Sequence, residues 1–328
     1  MPGWRNGRRN RLKIYRSQGH ESSSLSPGTK DMKPKILVIL GPTATGKSDL
    51  AVLLAKKFDG EIISADSRQV YKGMNLGTGK ITKKEMLGIP HYMLDIVKPN
   101  SIYNVAKYKD KAQKIITDIL KRGKLPIICG GTGFYIDAVV KNISFPNVPP
   151  NHALRKKLEN ETCEKLMKQL RNIDPRTAKT IDSKNKIKII RAIEIAQKLG
   201  KVPTIKSNSI YNAIQIGLIA PDKILKERIK TRLLKRIKLG MLREGQKLHK
   251  QGLSFKRMEA LGLEYRYMAR YLSGQITLDQ MIDELNTKIW QFARRQKTWF
   301  RRNKDIKWYN IGKATNKKII NYLKTKLI

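Results

Sequence analysis

An apolar run at positions 36–40 leads directly into a short segment bounded by glycines, and this pair of features constrains the fold more than any other part of the chain. The run is mostly β-branched, which is typical of a strand buried on both faces of a parallel sheet. The segment after it consists of Gly41, Pro42, Thr43, Ala44, Thr45, Gly46, Lys47 and Ser48. Its glycines let successive backbone N–H groups point at one anion, and the helix that begins at its end favours negative charge. A strand, this loop and an amphipathic helix, in that order, are the context that a phosphate-binding loop requires.

Two side chains at the end of this loop predict how a phosphate group is held. Lys47 can bridge phosphate oxygens, and the Ser48 hydroxyl is a suitable ligand for a magnesium ion that arrives with the phosphate. We therefore expect Mg²⁺ as the cofactor and Ser48 as its protein ligand. The alternative is an ordinary strand, turn and helix that binds no ligand.

The charge of the chain indicates a polyanionic partner. The 328 residues carry a formal net charge of +43, and nucleic acid is the commonest partner of so basic a protein. The alternative is a general enrichment in lysine that spreads over every solvated face. Charge therefore supports a nucleic-acid partner without identifying it.

Cysteine content and hydropathy limit the class of protein. The two cysteines, Cys129 and Cys163, are too few for a disulfide framework or a zinc finger, so we expect a cytoplasmic protein in a reducing compartment. No apolar stretch has the length needed to span a bilayer, and we expect no membrane association.

Shifts in composition divide the chain into four segments. Residues 1–31 are basic, partly serine-rich and without hydrophobic periodicity, which predicts a disordered tail. An organelle transit peptide and a stretch upstream of a start at Met32 are alternatives for this segment. The other three segments are the first part of the core at 32–145, a helical insertion at 146–205, and the completion of the core with basic C-terminal helices at 206–328.

Strand and helix signals alternate through the first part of the core. They predict an α/β fold with a P-loop NTPase-like parallel sheet flanked by helices. The predicted strands are 36–40, 61–64, 91–96, 126–130 and 213–219, the last returning to complete the sheet. The predicted helices are 47–58, 104–122, 132–141, 223–238, 263–272 and 278–302. Function is expected at the carboxyl ends of the strands.

Polar residues follow two of these predicted strands. Asp66 comes after the second strand, where its carboxylate can face the group to which a bound phosphate is attached, or can simply cap a helix. Gly130, Gly131 and Thr132 come after the fourth strand. The paired glycines permit either a tight turn or a close approach to a ligand, and the Thr132 hydroxyl can donate to a phosphate.

Two basic stretches in the C-terminal half each allow two interpretations. Arg228, Arg232 and Arg236 lie one helical turn apart, as a solvated face or as a cluster that reaches a diphosphate. The segment 290–302 interleaves aromatic residues with arginines on a predicted helix. Its aromatic residues suit a protein core, its arginines beside aromatic rings suit RNA, and both interpretations can hold on different faces.

Several short motifs occur together along the chain. They are the loop 41–48, Ser64-Ala65-Asp66-Ser67 with Gln69-Val70-Tyr71, Gly77-Thr78 with Lys80, Gly130-Gly131-Thr132 with Tyr135, Arg191-Ala192 with Glu194, Arg228-Ile229 with Arg232, and Ala293-Arg294-Arg295-Gln296 with Thr298-Trp299. In this order they resemble the tRNA dimethylallyltransferase (tRNA isopentenyltransferase) family, from about Lys35 to Tyr309. The combination is far more specific than any one motif.

This resemblance implies a reaction and its partners. A dimethylallyl group moves from dimethylallyl diphosphate to the exocyclic N6 amine of the adenosine 3′ to a tRNA anticodon, and pyrophosphate is released. The phosphate loop binds the prenyl diphosphate with Mg²⁺ instead of a nucleotide, and the helical insertion clasps the anticodon stem-loop. The reaction needs only one chain, so we expect a monomer.

The resemblance also implies roles for matching residues. Asp66 is the general base that takes a proton from the adenine amine. Lys47, Ser48, Thr132 and Arg228 or Arg232 stabilise charge on the departing pyrophosphate. The residues that contact tRNA are Ser67, Gln69, Arg191, Arg294, Arg295, Gln296 and Trp299.

Two other functions are compatible with parts of the sequence. A P-loop small-molecule or nucleoside kinase would use the same loop for ATP and Asp66 to activate a hydroxyl, but it leaves the basicity and the length beyond the core unexplained. A non-catalytic RNA-binding protein explains the charge and the C-terminal helix, but it leaves the intact phosphate loop unexplained.

Overall fold

The computed structural model describes residues 33–204, 206–312 and 314–327. These residues form two compact units. The first, which we call the α/β unit, consists of the described residues up to Lys141 and from Ser209 onward. The second, the helical unit, lies within Asn142–Asn208. The tail predicted at 1–31 lies outside the described residues.

A parallel sheet forms the centre of the α/β unit. Its strands are β1 (Lys35–Leu40), β2 (Gly60–Ser64), β3 (His91–Tyr92), β4 (Leu125–Gly130), β5 (Asn212–Ile219) and β6 (Ile306–Asn310). Within the described residues these six strands are all parallel, in the order β3-β2-β4-β1-β5-β6. The predicted α/β class with a parallel sheet is confirmed.

Helices flank the sheet and form the whole of the second unit's regular structure. In chain order they are α1 (Lys47–Lys57), α2 (Lys83–Met86), α3 (Val105–Lys121), α4 (Gly133–Val140), α5 (His152–Glu159), α6 (Cys163–Ile173), α7 (Pro175–Thr180), α8 (Lys186–Leu199), α9 (Asp222–Lys238), α10 (Met241–Lys250), α11 (Phe255–Leu261), α12 (Leu263–Leu272), α13 (Leu278–Phe300) and α14 (Thr315–Leu327). In the described part of the chain, no helix has the length and apolar character needed to cross a bilayer.

Both faces of the sheet are buried, which explains why β1 is apolar from Ile36 to Leu40. Val38 belongs to a buried cluster with Tyr108 of α3 and Ile136 of α4. Leu37, one residue earlier, belongs to a cluster on the opposite face with Leu54 of α1. Since successive side chains of a strand point to opposite faces, a strand covered on both sides must be apolar at every position.

The carboxyl ends of three neighbouring strands meet at one edge of the sheet, which we call the carboxyl edge. Leu40 of β1 lies opposite Gly130 of β4, and Ser64 of β2 lies opposite Cys129 of β4. The phosphate loop follows β1, and the other two strands are followed by the loops that carry the polar candidates. The sheet therefore brings three predicted site segments together.

Two strand predictions were wrong. The predicted strand 91–96 pairs only at its first two residues, because Met93 and Asp95 have φ angles of 65° and 52°, outside the extended region. The strand predicted at 213–219 does not complete the sheet, since β6 pairs beyond it. β6 is a five-residue strand at the edge of the sheet, and Ile306 is its only buried residue. Its hydrophobic signal in the sequence is therefore weak.

The helical unit has a core of its own. Leu158 of α5, Leu166 of α6 and Ile193 of α8 belong to one buried cluster, all of whose described members lie within this unit. Polar side chains cap these helices: Thr162 accepts from the third backbone N–H of α6, and Asn185 does the same for α8. The insertion is thus a structural unit that its own residues stabilise.

Candidate active site

The phosphate loop connects β1 to α1, as the sequence predicts. Ala44 and Gly46 have φ angles of 62° and 81°, so the chain turns sharply before the helix begins. The Pro42 carbonyl accepts hydrogen bonds from the Thr45 hydroxyl at 2.9 Å and from the Lys47 ammonium at 2.5 Å. These bonds stabilise a closed turn whose backbone N–H groups lie at a helix N-terminus, the usual arrangement for binding an anion.

Lys47 lies where its charge is disfavoured unless an anion is nearby. Burial and, to a smaller extent, the cation of Arg232 lower its pKa to about 8, although Cys129 and the carboxylate of Asp66 act in the opposite direction. These electrostatic interactions connect the phosphate loop with one residue of α9 and with the loop after β2. A diphosphate would meet two cations at this point, next to a carboxylate.

Asp66 presents one carboxylate oxygen to its own backbone. Its Oδ1 accepts from the N–H groups of Arg68 at 2.8 Å and Gln69 at 3.3 Å. Residues 67–70 form turns, so the side chain closes a turn and does not cap a helix. In the described part of the chain Oδ2 has no hydrogen-bond partner, which leaves it available to a ligand.

Thr132 ties the end of β4 to the Asp66 loop. Its N–H donates to the Ala65 carbonyl at 3.1 Å, and its hydroxyl oxygen accepts from the Ser67 N–H at 3.1 Å. Because the oxygen is the acceptor in that contact, the hydroxyl proton remains available for a second partner. The half-buried Ser67 lies in the same cluster.

The three arginines of α9 occupy different environments. Arg228 is exposed, whereas Arg232, one turn later, is half-buried and donates from Nη2 to the Gly79 carbonyl at 3.0 Å. Burial and the neighbouring Arg236 lower the pKa of Arg232, and the carboxylate of Asp66 raises it. Contacts at the carboxyl edge therefore involve Arg232, one turn beyond Arg228.

Arg236 has a structural position. It is buried, and its Nη1 donates to the carbonyls of Leu76 at 3.2 Å and Gly77 at 2.9 Å and to the Glu264 carboxylate at 3.2 Å. This side chain joins α9 to α12 and to the loop 75–80. The solvated stripe considered from the sequence is wrong for this residue.

The loop 75–80 is stabilised by a residue that the sequence reasoning missed. The Glu244 carboxylate accepts from three consecutive backbone N–H groups at 2.8 to 2.9 Å and from the Tyr265 hydroxyl at 2.6 Å. The three N–H groups belong to Asn75, Leu76 and Gly77. The motif Gly77-Thr78 with Lys80 marked the loop in sequence, but nothing near it indicated its partner on α10.

Gln69 also contacts this loop. Its Oε1 accepts from the Ser64 hydroxyl at 3.2 Å, and its Nε2 lies 3.5 Å from the Gly79 carbonyl to which Arg232 donates. The side chains of Gln69 and Arg232 therefore share the Gly79 carbonyl as an acceptor. This arrangement orients the Arg232 guanidinium at the carboxyl edge.

Gln296 of α13 faces inward. It is 7% exposed, its Oε1 accepts from the Thr43 N–H at 2.9 Å, and its Nε2 donates to the Gly131 carbonyl at 2.8 Å. A Cβ on Gly131 would lie 2.3 Å from that Nε2, so the glycine there makes room for the glutamine. Both ends of the amide are thus used inside the protein.

The outer face of α13 is basic and partly aromatic. Arg294 and Arg295 are exposed, and the Arg295 guanidinium lies 5.9 Å from the ring centroid of Phe292. Trp299 donates from its indole N–H to Asp137 at 2.9 Å while 37% of the residue stays exposed. The helix therefore has the two faces that the sequence suggested, with Trp299 at their boundary.

Arg191 belongs to the helical unit, whereas the site residues described so far belong to the α/β unit. Its guanidinium pairs with Glu194 and donates to the Val148 carbonyl at 2.8 Å. Although burial opposes ionisation of Glu194, hydrogen bonds from Arg155, the Asn151 N–H and Arg191 hold its pKa at about 2. The motif Arg191-Ala192 with Glu194 thus forms a charged cluster inside the helical unit.

The residues at the phosphate loop fit a magnesium ion that arrives with a diphosphate. Ser48 is exposed in the first turn of α1 and offers one hydroxyl oxygen. Among the described residues, no group of three or more His, Cys, Asp or Glu side chains could hold a metal by itself. Mg²⁺ commonly keeps several waters and binds through substrate phosphates with few protein ligands, which agrees with this donor set.

Comparisons with known proteins identify relatives over most of the chain. The family model described as IPP transferase matches residues 69–303. The tRNA dimethylallyltransferase of Pelotomaculum thermopropionicum is 42% identical over 291 residues, which cover 86% of this chain and 93% of that protein. The tRNA dimethylallyltransferase 2 of Treponema denticola is 45% identical over 278 residues, which cover 82% of this chain and 92% of that protein.

A solved structure has the same fold. The full-length tRNA isopentenylpyrophosphate transferase of Bacillus halodurans superposes with a TM-score of 0.70 and 36% identity, covering 90% of this chain and 97% of that one. A eukaryotic dimethylallyltransferase acting on tRNA shares the fold, with a TM-score of 0.71 and 24% identity over 84% of this chain and 74% of that one. The resemblance found in the motifs is therefore confirmed, and the chain belongs to the IPP transferase family.

Proposed function

We propose that the protein transfers the dimethylallyl group of dimethylallyl diphosphate to the N6 amine of the adenosine 3′ to a tRNA anticodon. The observation that carries this proposal is the carboxyl edge, where a phosphate loop and two cations lie together with a carboxylate, one oxygen of which has no partner among the described residues. Relatives named tRNA dimethylallyltransferase that align over more than four-fifths of the chain support it.

The phosphate loop and its cations bind the diphosphate. Backbone N–H groups of the loop, Lys47 and Arg232 meet its oxygens, and the Thr132 hydroxyl proton is free to donate to it. When the bond between the allylic carbon and the diphosphate oxygen breaks, the electron pair leaves with pyrophosphate. Positive groups fixed in advance around that oxygen stabilise the developing charge.

Asp66 acts on the other partner in the reaction. The N6 nitrogen forms a bond to the allylic carbon and loses a proton, which passes to the free Oδ2 of Asp66. Since Oδ1 is held by two backbone N–H groups, the carboxylate does not need to reorganise during the transfer. The adenine must leave its stack to reach this carboxylate, as in other enzymes that modify a base.

Mg²⁺ would be held by the Ser48 hydroxyl together with oxygens of the diphosphate. When bound, it supplies further positive charge to the leaving group. The protein itself contributes the cations of Lys47 and Arg232.

The tRNA would bind to basic and aromatic surfaces. Arg294, Arg295 and the exposed edge of Trp299 suit a phosphate backbone and unstacked bases. Ser67, Gln69 and Arg191 stay candidates for tRNA contact, although the polar atoms of Gln69 and Arg191 already have partners within the protein. We also propose that the helical unit clasps the anticodon stem-loop and that a monomer in the cytoplasm performs the reaction.

The kinase alternative is not favoured. It used the same loop for ATP, but the named relatives are dimethylallyltransferases and the phosphate loop suits any ligand with two linked phosphoryl groups. The basic face of α13 also has no role in phosphorylating a small molecule.

The direct test measures whether the protein transfers a labelled prenyl group or a labelled γ-phosphate. The purified protein is incubated with Mg²⁺ and unmodified tRNA, in parallel with prenyl-labelled dimethylallyl diphosphate or γ-labelled ATP. We expect prenyl label on the adenosine next to the anticodon and none on a matched tRNA with guanosine at that position. Transfer of the γ-phosphate without prenyl transfer would contradict the proposal in favour of a kinase.

A further inference from the structure

We propose that Gln296 is a positioning residue that sets the distance between the phosphate loop and the Asp66–Thr132 pair. The inference rests on the proposed function, because it concerns how the two halves of that site are aligned. It assigns Gln296 a role inside the site, in place of the tRNA contact that the resemblance implied.

The side-chain amide of Gln296 joins two loops that follow neighbouring strands. Its oxygen accepts from the Thr43 N–H in the phosphate loop, and its nitrogen donates to the Gly131 carbonyl in the loop that leads to Thr132. The residue is 7% exposed, so neither bond competes freely with water. A neutral amide can accept on one side and donate on the other, whereas a carboxylate lacks the donor and an ammonium lacks the acceptor.

Each loop is stabilised without Gln296. The phosphate loop is closed by the bonds from Thr45 and Lys47 to its own Pro42 carbonyl. The second loop is held to the Asp66 segment by the two bonds of Thr132. Loss of the Gln296 amide would therefore leave both loops intact and remove a link between them.

That link lies beyond the last backbone pairing of the sheet. Strands β1 and β4 pair as far as Leu40 and Gly130, and the two loops begin immediately afterwards. From there a hydrogen-bonded path runs from Thr43 through Gln296 to Gly131, and Thr132 continues it to the Asp66 segment. The diphosphate is bound at one end of this path and the general base lies at the other.

Loss of the Gln296 link should affect the rate of prenyl transfer more than the binding of the diphosphate. Displacement requires the amine, the allylic carbon and the leaving oxygen in one line, and a misplacement of about 1 Å can cost about 100-fold in rate. A shift between the loops would misalign the base with the diphosphate, although the loop that binds the diphosphate is unchanged. Gln296 should therefore affect kcat while diphosphate affinity stays nearly constant.

The first variant removes both hydrogen bonds at similar volume. For Gln296→Met we expect kcat at saturating tRNA and dimethylallyl diphosphate to fall about 30- to 100-fold. The Kd of magnesium pyrophosphate, measured by calorimetry, should stay within about threefold. Gln291→Met on the same helix is the matched control, and both its kcat and its Kd should stay within about twofold of wild type.

A second variant disturbs the same contact from the opposite side and leaves the glutamine in place. The methyl group of Gly131→Ala would lie 2.3 Å from Nε2 and displace the amide. We expect kcat to fall about tenfold, again with little change in the pyrophosphate Kd. In the double variant the losses should not add, because both changes break one link.

Three results are decisive. Retention of more than about a third of wild-type kcat in Gln296→Met would overturn the proposal. A rise in the pyrophosphate Kd with kcat preserved would also overturn it, because Gln296 would then be part of the diphosphate site. Additive losses in the double variant would mean that the two residues act separately. Failure of the proposed function is distinguishable, since the wild-type protein would then transfer no prenyl group at all.

Discussion

Two arginine-rich helices reach the carboxyl edge, and they use their charges in opposite ways. On α9 the exposed Arg228 is followed by the half-buried Arg232 at the site and then by the buried Arg236, so burial of the arginines increases along the helix. On α13 the arginines stay outside, and a neutral glutamine is the residue that faces the phosphate loop. The difference follows from the surface that each helix contacts. The inner arginines of α9 donate to backbone carbonyls of the loop 75–80, and carbonyl oxygens favour cations.

The largest effect should separate Arg232 from Arg228. Removing a fixed cation from the leaving group in Arg232→Met should lower kcat/KM by about 100- to 1,000-fold. Arg228→Met should cost less than about tenfold, because an exposed cation is well screened. Steady-state kinetics with dimethylallyl diphosphate measures both, with thermal unfolding as a check on the fold. Equal losses of kcat/KM in the two variants would contradict the assignment of Arg232, rather than Arg228, to the diphosphate site.

The next effect concerns stability. Arg236→Met leaves the buried Gly77 carbonyl, the partly buried Leu76 carbonyl and the Glu264 carboxylate without this donor, so the free energy of unfolding should fall by about 3 kcal/mol. Urea unfolding measures it, and the exposed Lys238 of the same helix, changed to Met, is the control with little expected change. An Arg236→Met protein as stable as wild type would show that this arginine does not brace the loop.

A pH titration tests whether burial lowers the pKa of Lys47 in the phosphate loop. The pKa of Lys47 is about 8 in the free protein, and a bound diphosphate raises it, so binding above that pH requires uptake of a proton. The pyrophosphate Kd should therefore increase with pH, by up to about tenfold per unit above pH 8. Lys47→Arg should remove the steep part of this dependence, because arginine stays charged. A pH dependence that is the same in both proteins would assign it to the ligand.

The smallest effect is expected on the outer face of α13. Changing Arg294 and Arg295 together to Gln should weaken tRNA binding and reduce the slope of log K against log salt by about one to two. The pyrophosphate Kd should not change, since neither side chain faces the phosphate loop. If the salt slope stays at its wild-type value, this face does not contact tRNA phosphates.

The parts of the site that were predictable from sequence depend on local pattern. The phosphate loop follows β1 and leads directly into α1, and Asp66 comes two residues after the end of β2, so spacing alone located both. The position of Gln296 depends on a helix that returns to Thr43 across 253 residues, which no local signal encodes. The same reason explains why Glu244 was missed and why Arg236 was grouped with Arg228 and Arg232.

The glycines after β4 show a related limit. The pair at Gly130 and Gly131 indicated a turn or a ligand in close contact. In the structure a Cβ on Gly130 would lie 2.2 Å from the Ala65 carbonyl oxygen, and one on Gly131 would meet Gln296. Protein neighbours that are distant in sequence thus require both glycines, so their function was visible only once the fold was known.

The central claim is that the carboxylate of Asp66 takes the proton during prenyl transfer, and Asp66→Asn tests it most directly. Asparagine can keep the Oδ1 contacts to the N–H groups of Arg68 and Gln69, so the turn should survive while the base is lost. We predict that the single-turnover rate falls by about 100- to 10,000-fold while the Kd for tRNA stays within about twofold. A variant that transfers the prenyl group at the wild-type rate would contradict the account.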